Sequence, residues 1–353
     1  MTKSLAMLFA ALSIAIAPQV ASAQDVSAPA STVDAAEVEA ESVADGETVI
    51  EATGGFEHFG PEMIKGQPVS AEEDLWGSMN FQPQYTDNGN YALGMHDYLL
   101  MPIITAISIF VLFLLLWVVY RYRRAANQVP SKTSHNTLIE IIWTVVPVII
   151  LVVIAVPSIT LLSRQYQSPP EDAITIKANG YQWYWGFEYV DNGGFEVISN
   201  MLDEAEALEA GEPHQLAADN RMVVPVGVPI RLQTFGADVI HSFGVPALWF
   251  KLDAVPGRIN EKILTIQEEG IFYGQCMELC GARHGYMPIV IEARSMEDYN
   301  AWVQSQPGGM TRAQINAEAA SAAAQDAASA QDAAEAGDEA GVEEAVTAEA
   351  EAA

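Results

Sequence analysis

The sequence predicts a two-helix transmembrane hairpin followed by an all-β Greek-key barrel, flanked by disordered acidic tails. Three observations carry that reading. Two long uncharged apolar runs occupy residues 99–120 and 141–162, the composition changes after Ala173 to short β-rich runs broken by turn signals, and both ends are rich in alanine and acid. The formal net charge of -30, from 46 acidic against 16 basic residues, is mostly a property of those ends. Thirteen acids fall between Asp25 and Asp74 and ten follow Met310, in stretches that read as solvated. Residues 163–309 still hold 20 acids against 9 lysines and arginines, which suits a basic protein partner and argues against nucleic acid.

Residues 1–23 read as a secretory signal peptide: Lys3 precedes an apolar run, and Ala21-Ser22-Ala23 supplies a small-x-small cleavage site. Residues 24–90 show no sustained periodicity and are expected to form a flexible arm on the outer side. The hairpin takes residues 91–165, and each run of about 22 apolar residues is long enough to cross a bilayer. Arg121, Arg123, Arg124 and Lys132 lie between the runs with no acid, so the loop 121–137 is expected in the cytoplasm and both termini outside. Pro147 and Pro157 are tolerable in a membrane helix whose neighbours satisfy the freed backbone groups. Glu140 has two compatible readings: partner of an N-cap Thr137 in a capping box, or a carboxylate at the mouth of a proton path.

Residues 166–306 make the barrel. Runs at 174–177, 229–235, 262–267 and 288–293 are separated by turn signals such as Asp191-Asn192-Gly193-Gly194 and Pro256-Gly257. Short strands repeated in this way indicate a sandwich or small barrel. The acidic insert 201–212 reads as a surface helix or loop. Ser295 is expected to cap a closing helix with Glu297 and Asp298 in its first turn. Residues 307–353 hold too few large apolar side chains to build a core.

Chemistry concentrates in Cys276-Met277-Glu278-Leu279-Cys280-Gly281-Ala282-Arg283-His284-Gly285-Tyr286-Met287, which contains the only two cysteines. Thiolate and thioether sulfur are soft ligands that favour copper, and imidazole suits it too. With His241 upstream, the donors exceed what one tetrahedral ion needs, and thiolates do not suit an octahedral oxygen site. Two ions sharing both thiolates would use them all. A Cys276–Cys280 disulfide outside the cytoplasm is a rival reading. Structural zinc is another, though it usually takes C-x2-C and not methionine.

At these residues the sequence resembles subunit II of the haem-copper cytochrome c oxidases, whose periplasmic cupredoxin domain carries the dinuclear CuA centre. The resemblance spans about residues 76–304. It implies that His241, Cys276, Cys280, His284 and Met287 hold two copper ions, with the Glu278 backbone carbonyl as a further donor. It also implies that the Glu278 carboxylate reaches a magnesium ion shared with subunit I. In Tyr181-Gln182-Trp183-Tyr184-Trp185 it makes Trp183 the residue of electron uptake, and strand alternation would put Trp183 and Trp185 on one face. Tyr181 stands where the family usually has histidine. Asp238 matches an acid near the docking surface, Glu140 matches a glutamate assigned to proton uptake, and Asp253 and Arg258 match positions at the subunit I boundary.

The resemblance therefore implies a multi-pass protein of the bacterial cytoplasmic membrane with its copper domain in the periplasm. It would take electrons from cytochrome c and pass them to haem in subunit I, where oxygen is reduced to water and protons are pumped. Subunit III and membrane lipid are further implied partners, and the chain would not be catalytic alone. A quinol oxidase subunit II, a structural and interaction module without copper, is the alternative; it would lack the cysteines. Nitrous oxide reductase shares the copper motif but not two spanning helices leading directly into this domain. No C-x-x-C-H occurs, which excludes a c-type haem on this sequence.

Overall fold

The computed structural model describes residues 56–129 and 131–329. The expected signal peptide, most of the expected N-terminal arm and the acidic tail from residue 330 lie outside the described residues. A 3-10 turn at Pro61–Met63 leads into a short strand, β1 (Ile64–Gly66). Thr86 then caps the first long helix, its hydroxyl accepting from the Gly89 N–H at 3.0 Å and satisfying a donor that the first turn leaves without a partner. That helix, α1 (Asp87–Arg121), runs through a π turn at His96–Leu100. Next comes α2 (Thr137–Gln165), unbroken by Pro147 and Pro157. Both expose apolar side chains around their circumference, as helices solvated by lipid do.

The helices outrun the expected spans 99–120 and 141–162 because capped polar turns extend each apolar run. At the start of α2 the cap is Asn136 rather than Thr137. Its side-chain oxygen accepts from the Ile139 N–H at 3.3 Å, and Glu140 reaches back to accept from the Asn136 N–H at 3.1 Å. Asparagine outranks threonine as a cap, so the reciprocal bonding forms one residue earlier than the sequence suggested.

Ten strands complete the barrel: β2 (Ile174–Tyr181), β3 (Tyr184–Glu188), β4 (Glu196–Ser199), β5 (Met222–Pro225), β6 (Ile230–Gly236), β7 (His241–Val245), β8 (Phe250–Ala254), β9 (Asn260–Leu264), β10 (Gly270–Cys276) and β11 (Pro288–Arg294). One sheet runs β4-β3-β2-β6-β9, the other β5-β11-β10-β7-β8, with β1 parallel to β10. Alternate residues of β6 face the core, whereas β11 is buried throughout because it is covered on both faces. Between the sheets, Trp185 and Phe187 meet Phe243 edge to face, with centroids 5.6 and 6.4 Å apart. Burial of each such side chain contributes about 1.5–3 kcal/mol, and the aromatic geometry adds to it. The run expected at 262–267 stops as a strand at Leu264. Beyond it, Ile266 O accepts from Gly227 N–H and Gln267 N–H bonds Tyr85 O, drawing the chain out of the sheet.

Two short helices close the domain. The acidic insert forms α3 (Glu204–Glu209). Ser295 caps α4 (Met296–Ser305) by accepting from the Asp298 N–H at 3.1 Å, and α4 buries Tyr299, Trp302 and Val303. The start of the acidic tail is also ordered against the barrel. Met310 N–H bonds Asn192 O, Arg312 donates to Asp172 O and Ala173 O, and residues 312–329 are helical.

Residues 56–66 likewise depart from the flexible arm expected for 24–90, because a buried charge holds them. Glu292 on β11 is fully buried and accepts from His58 Nδ1 at 2.9 Å, Phe59 N–H at 3.2 Å, Arg221 Nη1 at 2.7 Å and Arg294 Nε. Arg294 lies over the Phe56 and Phe59 rings and donates to Glu57 O. Arg221 also pairs with Glu212 at 2.6 Å, which ties in the insert. Burial raises the Glu292 carboxyl, but the bonds and charges of His58, Arg221 and Arg294 outweigh it and pull the group down to about 2.

The stability that Glu292 contributes is therefore complete above its ordinary value of 4.5 and is lost as pH falls through about 2. Glu292→Gln should lower stability at neutral pH by on the order of 3 kcal/mol and flatten the acid dependence in that window. Denaturant melts of the full chain in detergent, followed by tryptophan fluorescence, measure both. A wild-type acid slope in the variant would assign the effect elsewhere.

Candidate metal centre

His241 opens β7 and Cys276 ends β10. These strands pair antiparallel with Cys276 opposite Phe243, and the Met277 N–H continues the ladder to Ser242 O at 2.9 Å. That register brings a histidine and a cysteine 35 positions apart in sequence to 3.9 Å, from His241 Nδ1 to Cys276 Sγ. The loop from β10 to β11 supplies the rest. Cys280 Sγ lies 3.9 Å from Cys276 Sγ, 3.6 Å from His284 Nδ1 and 3.5 Å from Met287 Sδ, and the Glu278 carbonyl oxygen lies 3.3 Å from Cys276 Sγ. All six donors expected from the sequence converge. His241, Cys276, Cys280 and Met287 are buried, and His284 is half-buried.

Both cysteines are free thiols. At metal–sulfur bonds of about 2.3 Å, sulfurs this far apart can share an ion on either side. Electrostatics point the same way. Burial opposes charge on Cys276, but bonding to His241 and to the Glu278 and Ser242 backbone brings it below its ordinary value; burial and the neighbouring Cys276 charge push Cys280 up. Holding both as thiolates needs added positive charge between them. The donor set fits a soft metal, with His241, Cys276 and Cys280 offering ligand atoms within 4.8 Å of one another.

The surroundings fix the ligands. Asp238 Oδ1 accepts from His241 Nε2 at 2.9 Å and from the Val239 N–H, and Oδ2 accepts from the Gln182 N–H at 2.7 Å. Burial raises the Asp238 carboxyl, yet these bonds leave it below its ordinary value. A carboxylate on the far nitrogen orients an imidazole and raises its basicity as a ligand. The sequence reading expected Asp238 near a docking surface; the residue is exposed, and its carboxylate also bonds His241 and the backbone beside it.

Trp183 is not on a strand face with Trp185. It occupies the two-residue turn between β2 and β3, where its Nε1 donates to Cys280 O at 3.2 Å, while Trp185 is buried in the core and donates to Met287 O at 3.3 Å. The turn, which alternation does not reach, aims Trp183 at the ligand loop.

Three supporting residues escaped the sequence reading. Gln182 Nε2 also donates to Cys280 O, at 3.1 Å. Gly281 adopts φ +124, and a side chain there would meet Trp183 at 3.0 Å. A Cβ at Gly180 would lie 2.9 Å from the His241 ring. An isolated glycine within a strand marks such close approach, and that signal was present in Gly180. Glu278 turns its carbonyl to the site but is an exposed residue, and Glu140 sits in the first turn of α2, outside the barrel.

A family model described as cytochrome C oxidase subunit II, periplasmic domain, matches residues 174–294, and one described as cytochrome C oxidase subunit II, transmembrane domain, matches residues 74–161. The chain is 48% identical over 236 residues to a probable cytochrome c oxidase subunit 2 of Rickettsia bellii, covering 67% of this chain and 87% of that protein. It is 41% identical over 250 residues to cytochrome c oxidase subunit 2 of Cereibacter sphaeroides, covering 66% and 82%. Among solved structures, the periplasmic domain of subunit II of the Bradyrhizobium japonicum cytochrome oxidase is 46% identical, covers 39% of this chain and 96% of that one, and gives a TM-score of 0.36.

Asp238→Ala should weaken metal binding by about 10–100-fold with the fold intact, read by chelator competition on the full chain alongside circular dichroism. Unchanged affinity would deny Asp238 its orienting role.

Proposed function

Because the chain belongs to the cytochrome c oxidase subunit II family, we propose that it is the electron-accepting subunit of its complex, taking electrons from cytochrome c at a dinuclear copper centre and passing them to haem in subunit I. Membership makes it part of a respiratory oxidoreductase complex, and its two apolar helices embed it in a membrane beside an extramembrane domain. The observation that carries the proposal is the convergence of two thiols, two imidazoles, a thioether and a backbone carbonyl at one end of the barrel.

When bound, a copper pair sharing both thiolates supplies reversible one-electron chemistry. The protein's part is to hold the donors in place. Cys276, Cys280, His241 and His284 would hold the ions as the principal donors, and the Glu278 carbonyl and Met287 would serve as weaker ones. A weak thioether of this kind tunes potential. The apolar core behind Cys276 and Met287 excludes water, which limits reorganisation of the surroundings on electron transfer.

Trp183 suits electron uptake because its half-buried ring is hydrogen-bonded to the backbone of a ligand residue. The remaining assignments rest on the resemblance: the Glu278 carboxylate to magnesium at the subunit I boundary, Glu140 to proton uptake, and Asp238 to docking through the third of its side chain that is exposed. Subunit III completes the complex. The excess of acid over base in residues 163–309 suits attraction of a basic cytochrome. The arginine-rich loop between the helices supports a cytoplasmic loop and a periplasmic copper domain.

Metal analysis of the full chain, prepared under reducing conditions and reconstituted with copper, should give two copper ions per chain and the paramagnetic spectrum of a mixed-valence pair. A copper-free chain or a single type of isolated ion would end this reading. Met287→Leu should keep copper bound while shifting the potential and optical spectrum of the site. An unaltered potential and spectrum would remove Met287 from the ligand set.

A further inference from the structure

Where the membrane hairpin meets the barrel, the structure holds a cavity of about 310 Å³. Its walls include Asp87 and Asn88 from the start of α1, Arg164 from the end of α2, and Trp249 and Lys262 from the barrel. The last apolar residues of α2, Leu161 and Leu162, precede Arg164 by roughly 3–5 Å along the helix axis. The cavity therefore sits where hydrocarbon gives way to headgroups. Exposed Ile159 and Leu162 continue below it as apolar surface.

Charge at this cavity is unbalanced. Among the described residues, the lysines and arginines found in ion pairs do not include Arg164 or Lys262. Arg164 lies over the Tyr91 ring at 4.6 Å, and Lys262 over the Phe250 ring at 5.6 Å. Among the lining residues two cations face one carboxylate: Asp87 keeps its charge while accepting from the neutral Gln267 amide, and Glu261, beside Lys262 in the chain, pairs with Arg231 at 3.2 Å. Burial holds the Lys262 ammonium below its ordinary value, and among the described residues it forms no ion pair. Such a cation gains when an anion arrives.

We propose that this cavity binds the phosphate of an anionic phospholipid headgroup between Arg164 and Lys262, with the acyl chains lying on α2 along Ile159 and Leu162. The volume is at the low end for small-molecule sites, enough for a headgroup while the chains stay in the bilayer. Asn88 offers hydrogen bonds from the cavity wall, and Trp249 is an amphipathic ring at headgroup level. Guanidinium and ammonium groups are the usual partners of phosphate, one as a planar fork and the other as a point charge.

Native mass spectrometry of the detergent-purified full chain, titrated with phosphatidylglycerol, phosphatidylcholine or inorganic phosphate, tests the site. Phosphatidylglycerol should bind best. Arg164→Gln or Lys262→Gln should each weaken it by about fivefold and the double substitution by roughly 25-fold, while Lys262→Arg should retain it. Equal phosphatidylglycerol binding by the wild type and the double variant overturns the proposal, as does phosphatidylcholine binding of equal strength. Inorganic phosphate that binds with the same variant dependence and displaces the lipid would assign the cavity to a soluble anion and overturn the lipid reading.

Discussion

The antiparallel register of β7 against β10 is the constraint on which the candidate metal centre depends. It sets His241 against Cys276 at the end of a ladder, and the following loop then needs only eleven residues to return Cys280, His284 and Met287 to the same point. A slip of one residue would turn every side chain of β7 to the opposite face and remove the histidine. The packing of Phe243 against Trp185 and Phe187 resists such a slip, so the hydrophobic core and the ligand geometry are held by the same contacts.

Around that register the protein places groups that act on ligands rather than on a metal. Asp238 holds the far side of His241, and Gln182 and Trp183 both donate to the Cys280 carbonyl. Gly180 leaves room for the imidazole. The β2–β3 turn thus serves the histidine and the cysteine loop together. A site buried in this way combines a low dielectric with a fixed donor set, conditions that favour electron transfer with little rearrangement.

The barrel is also the anchor for segments that have no core of their own. Buried Glu292 gathers residues 56–66, Arg221 and the acidic insert into one charge network. At the membrane end, Tyr85 N–H bonds Ala247 O and the Thr86 hydroxyl donates to Leu248 O, so the chain is fixed to the barrel immediately before α1 begins. These contacts hold the start of α1 against the barrel, beside the cavity that Arg164 at the end of α2 also lines.

The hairpin, the β-rich domain and the donor residues were legible because each depends on local pattern: uncharged runs of membrane length, short strands between turn residues, and a dense C-x3-C-x3-H-x2-M cluster. The sequence by itself determined which chemistry the protein can support, since soft donors and apolar spans are properties of residue type. Only the tertiary structure decided the roles of Asp238, Trp183, Glu292 and Asn136. Their partners are a histidine three residues away across a turn, a carbonyl 97 positions on, an arm 234 positions back and, for Asn136, the Ile139 N–H that it caps. Hydrogen bonds are short and directional, so which groups meet depends on strand register and loop closure, neither of which is encoded in any single local pattern.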